Sequence, residues 1–264
     1  MRRSTFIVAT LVGGLSIGAL LLWMQDPSPA SPALVGVASP DAEPDAVADP
    51  SLAGVAPIAV PDAMERLAAL HGPQPPASEA ETRARLQARR ETVKNLEIAL
   101  AAGGAGAVDG IVSWYLETDT LRERKFLIRS LSRNRSEQAA DALAELYDSE
   151  ERIADRHDLA RALALSEAPG SQDALRANLE TETDERIRLT LIQGAYGDAM
   201  AMDRLTEIVW ESTERLIQQE ALHSIGGVGT EAARSVLEQA ASDAGLSALV
   251  RQFAEKEIGR SFGE

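Results

Sequence analysis

The chain of 264 residues carries 41 acidic against 26 basic side chains, a net charge of −15, with three histidines and no cysteine. Such an acidic surplus argues against nucleic acid as a main ligand, because phosphate binding needs a net basic surface. The missing cysteines exclude a disulfide framework, a thiolate metal site, a cysteine nucleophile and a lipidated cysteine.

Residues 1–25 set the expected compartment. Arg2 and Arg3 precede twenty uncharged residues, Thr5 to Met24. As a helix this run is about 30 Å long, the thickness of a bilayer's hydrocarbon core. The two arginines place the N-terminus in the cytoplasm and send the rest across. The run exceeds the roughly 7–15 apolar residues of a cleaved signal peptide, so an uncleaved signal-anchor is the reading. The chain is then a single-pass protein of a bacterial inner membrane with its bulk in the periplasm. Gly14 and Gly18 form a GxxxG pair, a face on which two such helices approach closely and form a homodimer.

Residues 26–80 read as a linker. Eleven of the twelve prolines lie there, with eight acids and one base. That composition buries little and predicts disordered or partly extended chain. One short helix interrupts it, with Met64, Leu67 and Leu70 at helical spacing between Pro61-Asp62 and Gly72-Pro73.

Residues 81–264 form the folded block. Apolar residues recur at i, i+3, i+4 and i+7 in short runs and never alternate for long, so the block is expected to be all-α. The helices repeat. Apolar pairs Leu96/Leu100, Leu127/Leu131, Leu159/Leu163, Leu191/Ala195, Ala221/Ile225 and Ala254/Ile258 follow one another at intervals of 31, 32, 32, 30 and 33 residues. A second column, Ile111/Tyr115, Leu143/Tyr147, Leu175/Leu179, Leu205/Val209 and Leu237/Ala241, keeps step. A helix pair of that length cannot bury its apolar face alone, so about five pairs and a closing helix, Leu246 to Ser261, must stack. The runs Ser149–Ile153, Thr183–Ile187 and Ser212–Leu216 each combine a hydroxyl, acids and an arginine ahead of a helix. They are expected to cap it and to pair between repeats.

The pieces Gln219–Gly229 followed by Glu231-Ala232-Ala233, and Ala99–Gly103 followed by Ala107-Val108, resemble short HEAT-like repeats, which also occur in phycobilin lyases. The resemblance covers about Glu81 to Phe262 and implies an α-solenoid. The landmark residues of tetratricopeptide repeats are missing.

His71, His157 and His223 fall in different regions, and none belongs to an HExxH or a histidine–glutamate repeat pair. No GxSxG, P-loop or dinucleotide motif occurs, and Gly103-Gly104-Ala105-Gly106 reads as a loop between helices. The expectation is a non-catalytic protein without metal or cofactor.

Two surface features point to a protein partner. Arg122, Arg124, Lys125, Arg129, Arg133 and Arg135 make a basic island containing one acid, Glu123, within a block of net charge −10. Such an island docks an acidic partner or the chain's own acidic linker, or is balanced by acids of the next repeat. Trp210 occupies a mostly polar column and reads either as an exposed interface anchor or as local packing. The sequence therefore predicts a membrane-tethered scaffold binding another protein. A membrane-anchored steric chaperone, sharing the order of anchor, linker and helical domain, is the alternative.

Overall fold

A computed structural model describes residues 55–70, 72 and 78–263. The expected membrane span, its Gly14 and Gly18, and most of the expected linker lie outside these residues. The chain divides into units 1–47 and 48–264, and all described residues fall in the second. Among them no helix is long and apolar enough to cross a membrane.

The described residues contain twelve α-helices and no strand. α1 (Val60–Ala69) precedes five pairs. These are α2 (Glu79–Ala101) with α3 (Ala105–Glu117), α4 (Leu121–Arg133) with α5 (Glu137–Ser149), α6 (Ile153–Leu165) with α7 (Ser171–Thr181), α8 (Glu185–Gly194) with α9 (Met202–Glu211), and α10 (Arg215–Val228) with α11 (Glu231–Ser242). α12 (Ala248–Phe262) closes the array. The even-numbered helices pack side by side in sequence, each on the next, from α2 to α12; α3, α5 and α7 form a second layer against them. The packing of consecutive pairs is compatible with an α-solenoid.

The repeat has a physical unit smaller than the pair. Each of α3, α4, α5 and α6 is 13 residues long and is followed, up to α6, by a three-residue turn. At most of the turns a side-chain oxygen accepts a hydrogen bond from the amide two residues on; it belongs to the first residue after the helix, except at Asp198, which follows α8 by four residues. Thr118, Asn134, Glu150, Ser166, Glu182 and Asp198 do this at intervals of 16 residues. Ser212 and Asp243 repeat the device further on. Such a side chain replaces the next helical hydrogen bond with a turn, which stops the helix without a glycine or proline.

The two apolar columns form the core. Leu100, Leu127, Leu131, Leu159, Leu163, Leu191, Ala221 and Ala254 of the even helices are fully buried, as are Ile111, Leu143, Leu175, Leu205 and Leu237 of the odd ones. Each large side chain so buried contributes about 1.5–3 kcal/mol before entropy is counted. Helices approach closely where side chains are small. A Cβ on Gly194 would lie 2.5 Å from both Ala164 and Leu175, so α8 meets α6 and α7 only because residue 194 has none.

Composition placed residues 60–69 in the linker, yet α1 belongs to the core. Val60, Ala63, Met64 and Leu67 are buried against α2 and α3, and the Ile58 amide donates to the Ala99 carbonyl at 3.2 Å. Its apolar spacing gives a continuous stripe, and that stripe covers the end of the stack that no earlier pair covers. α2, by contrast, runs well past its neighbours. Only Leu96, Glu97, Leu100 and Ala101 of its 23 residues are buried, and the capping box of Ser78 and Glu81 secures its free end.

Candidate interaction surface

Most polar side chains near the repeats face one another. Two recurring groups, here termed clasps, join consecutive pairs. In the first, Tyr115 on α3 donates its hydroxyl to Glu150 at 2.6 Å. Arg124 on α4 reaches the same carboxylate at 3.1 Å and lies 4.6 Å from the centre of the Tyr115 ring. Its Nε donates to the Thr118 carbonyl at 2.7 Å. In the second, Tyr147 on α5 donates to Glu182, and Arg156 on α6 reaches both Glu182 oxygens at 2.7 Å while lying 5.6 Å from the Tyr147 ring. Both clasps have the spacing Tyr, Arg nine residues on, Glu thirty-five on.

The electrostatics follow from burial. Burial pushes both tyrosine pKa values up, and the hydrogen bond each makes to a carboxylate adds to it. Burial would raise Glu182, but Arg156, the Tyr147 hydroxyl and the Asp184 amide together hold it below its ordinary value. Asp155, beside the first clasp, goes the other way. Burial and neighbouring Glu150 raise it despite Arg124 at 3.4 Å.

The basic island is largely consumed by this inter-repeat pairing. Arg124 is 6% exposed and sits inside the first clasp, so it is not surface. Lys125 pairs with Asp158 at 3.1 Å. Arg129 and Arg133 both pair with buried Glu97, at 2.6 and 3.5 Å, and Arg135 pairs with Glu167. Arg122 alone of the six has no ion pair among the described residues. The balancing acids come from repeats on both sides, where the sequence suggested the following one. Removing Arg129 and Arg133 would strand a buried carboxylate, so their effect on any partner is inseparable from their effect on folding.

Trp210 is half-buried against the core, and its Nε1 donates to Asp243 Oδ2 at 2.7 Å. That bond draws the Asp243 carboxyl pKa down. Asp243 is the first turn residue after α11, as Glu150 is after α5, so Trp210 makes a clasp of its own kind between α9 and α11. Trp114 also packs on the core. The expected hydroxyl caps ahead of α6 and α8 are replaced by acids, whereas ahead of α10 the Ser212 hydroxyl accepts from the Glu214 amide at 3.1 Å. Glu150 accepts from the Arg152 amide, and Asp184 caps Arg186 and Ile187. Ser149 instead bonds back to its own helix, and Arg152 pairs locally with Glu150 and Asp155.

His157 is half-buried, 3.0 Å from Thr190 Oγ1 on α8, and burial lowers its pKa. His223 Nδ1 lies 3.2 Å from buried Glu257, which Arg260 also holds, and its ring is 5.0 Å from that of Tyr196. His71 lies outside the described residues. Among the described residues no group of three or more His, Asp or Glu side chains has the arrangement of a metal site.

Sequence reasoning missed the clasps, although Tyr115 and Tyr147 stand in a repeating column and Glu150 and Glu182 are 32 residues apart. What remains exposed is concentrated at the turns, where Leu116, Leu121, Ile153, Leu165, Met200, Leu216 and Leu249 are all more than half exposed. No family model matches the chain, and no curated protein matches it in sequence.

Proposed function

We propose that residues 81–264 form a HEAT-like α-solenoid that acts as a non-catalytic scaffold for another protein, held at a bacterial inner membrane by residues 5–24 with the solenoid in the periplasm. The observation that carries this reading is the division of labour among the side chains. The interior polar groups tie repeat to repeat, while large apolar side chains stand free at the turns. Stacked repeats of this kind offer a long, fixed surface, and a single-span tether raises the local concentration near membrane partners.

In-cell crosslinking of the full-length chain with membrane fractionation tests the reading. A single stoichiometric partner and loss of membrane attachment on deleting residues 1–25 are expected. A spread of unfolded secreted proteins would replace the scaffold with the steric chaperone. Attachment to no protein would overturn both.

A further inference from the structure

The even-numbered helices run parallel, because each is separated from the next by one returning helix. Contacts join them at matching heights, Lys125 with Asp158 and His157 with Thr190. The N-termini of α4, α6, α8, α10 and α12 therefore share one edge. At that edge the first or second residue of four of these helices is a large apolar side chain left open: Leu121 is 53% exposed, Ile153 58%, Leu216 57% and Leu249 52%. Leu116, at the end of α3 on the same edge, is 65% exposed. Only α8 breaks the row, with Glu185 and Arg186. A first-turn position facing water has no need of leucine or isoleucine, and a row of them on successive repeats is the mark of a contact surface.

The charge around the row states what it contacts. Each of the first four turns on this edge carries two exposed acids, Glu117 and Asp119 at the first and Glu211 and Glu214 at the fourth, against one exposed arginine, with Arg204 pairing to Glu211 and to Glu180 of the third. An acidic, apolar edge repels anionic lipid headgroups and attracts cationic chain. We propose that this edge docks a segment of another protein in which apolar side chains alternate with lysine or arginine. The proposal rests on the scaffold reading above and names the surface and the chemistry of its partner.

The test uses the full-length chain in its own cells, with a photo-crosslinking benzophenone side chain at position 121, 153 or 216, or at 165 or 200 on the opposite edge. Crosslinks are expected at 121, 153 and 216, about five-fold above those at 165 and 200, to a Lys/Arg-rich apolar segment of one protein. Leu121→Ser combined with Leu216→Ser should cut the yield at 153 by about five-fold, with unchanged thermal unfolding because both side chains are already more than half exposed. Crosslinks confined to 165 and 200 would overturn this surface and leave the scaffold standing. Crosslinks at 121, 153 and 216 to an acidic segment, or to a second copy of this chain, would overturn the assigned partner. No crosslinks at any position would overturn the scaffold reading itself.

Discussion

Between α3 and α7 every step of the second layer is closed by a tyrosine hydroxyl, an arginine and a buried glutamate. At the next step, from α7 to α9, Leu179 stands in the tyrosine's place and Arg188 in the arginine's, and the first turn residue after α9, where the clasps have glutamate, is Ser212. Arg188 reaches Glu211 only at 4.0 Å, where Arg156 reaches both Glu182 oxygens at 2.7 Å. The apolar columns do not distinguish the two regions, since Leu175, Leu179, Leu205 and Val209 are as fully buried as Ile111 and Leu143. The difference teaches that burial holds the layers together everywhere, while the clasps select the register at particular interfaces. An apolar face tolerates sliding, whereas a tyrosine hydroxyl and a guanidinium sharing one buried carboxylate do not.

The contrast can be broken most severely at Glu182, whose side chain is fully buried. Glu182→Ala leaves Arg156 and the Tyr147 hydroxyl without their acceptor and frees the turn amides of Thr183 and Asp184. The expected cost is about 3–5 kcal/mol in a urea titration. A cost below that of an ordinary surface substitution would show that the clasp carries little.

A smaller loss is expected from Tyr147→Phe, which removes one hydroxyl and keeps the Arg156–Glu182 pair. The same titration should give about 1–2 kcal/mol.

Acid separates the clasp's charge from its packing. Because Glu182 lies below its ordinary value of 4.5 in the folded chain, its contribution is complete above that pH and drains away as pH falls through its folded pKa. Asp155, raised above 3.8, opposes this, its contribution falling as pH rises through its folded pKa. Glu182→Gln should therefore flatten the loss of stability below about pH 4.5, measured as urea midpoints across pH. An unaltered slope would remove Glu182 from the account.

Least affected should be Trp210→Phe. It deletes one hydrogen bond to the turn acid Asp243 and keeps most of the apolar contact, for about 0.5–1.5 kcal/mol. A loss of partner crosslinking with unchanged stability would return Trp210 to the surface.

The all-α class, the five pairs and the closing helix could be read from two columns of apolar residues, because helical burial leaves a period that survives in sequence. The 16-residue beat of Thr118, Asn134, Glu150, Ser166, Glu182 and Asp198 is also present there, but hidden by chemistry. Six positions satisfy one turn amide with a hydroxyl, an amide or a carboxylate, so no single residue type repeats. The basic island misled because a run of charge shows its sign and not its partners. Glu97 and Asp158 lie about one repeat away on neighbouring helices, and only the stacking brings them to Arg129 and Lys125. α1 was legible as a helix and not as core, since prolines on either side outweighed its apolar face.

Hydrogen exchange of backbone amides across the whole chain tests the central claim most directly, for it reads each interface separately. The account predicts that amides of α4, α5 and α6, bracketed by both clasps, exchange only through global unfolding, while α9 opens at lower free energy. Equal protection of α5 and α9 would contradict it.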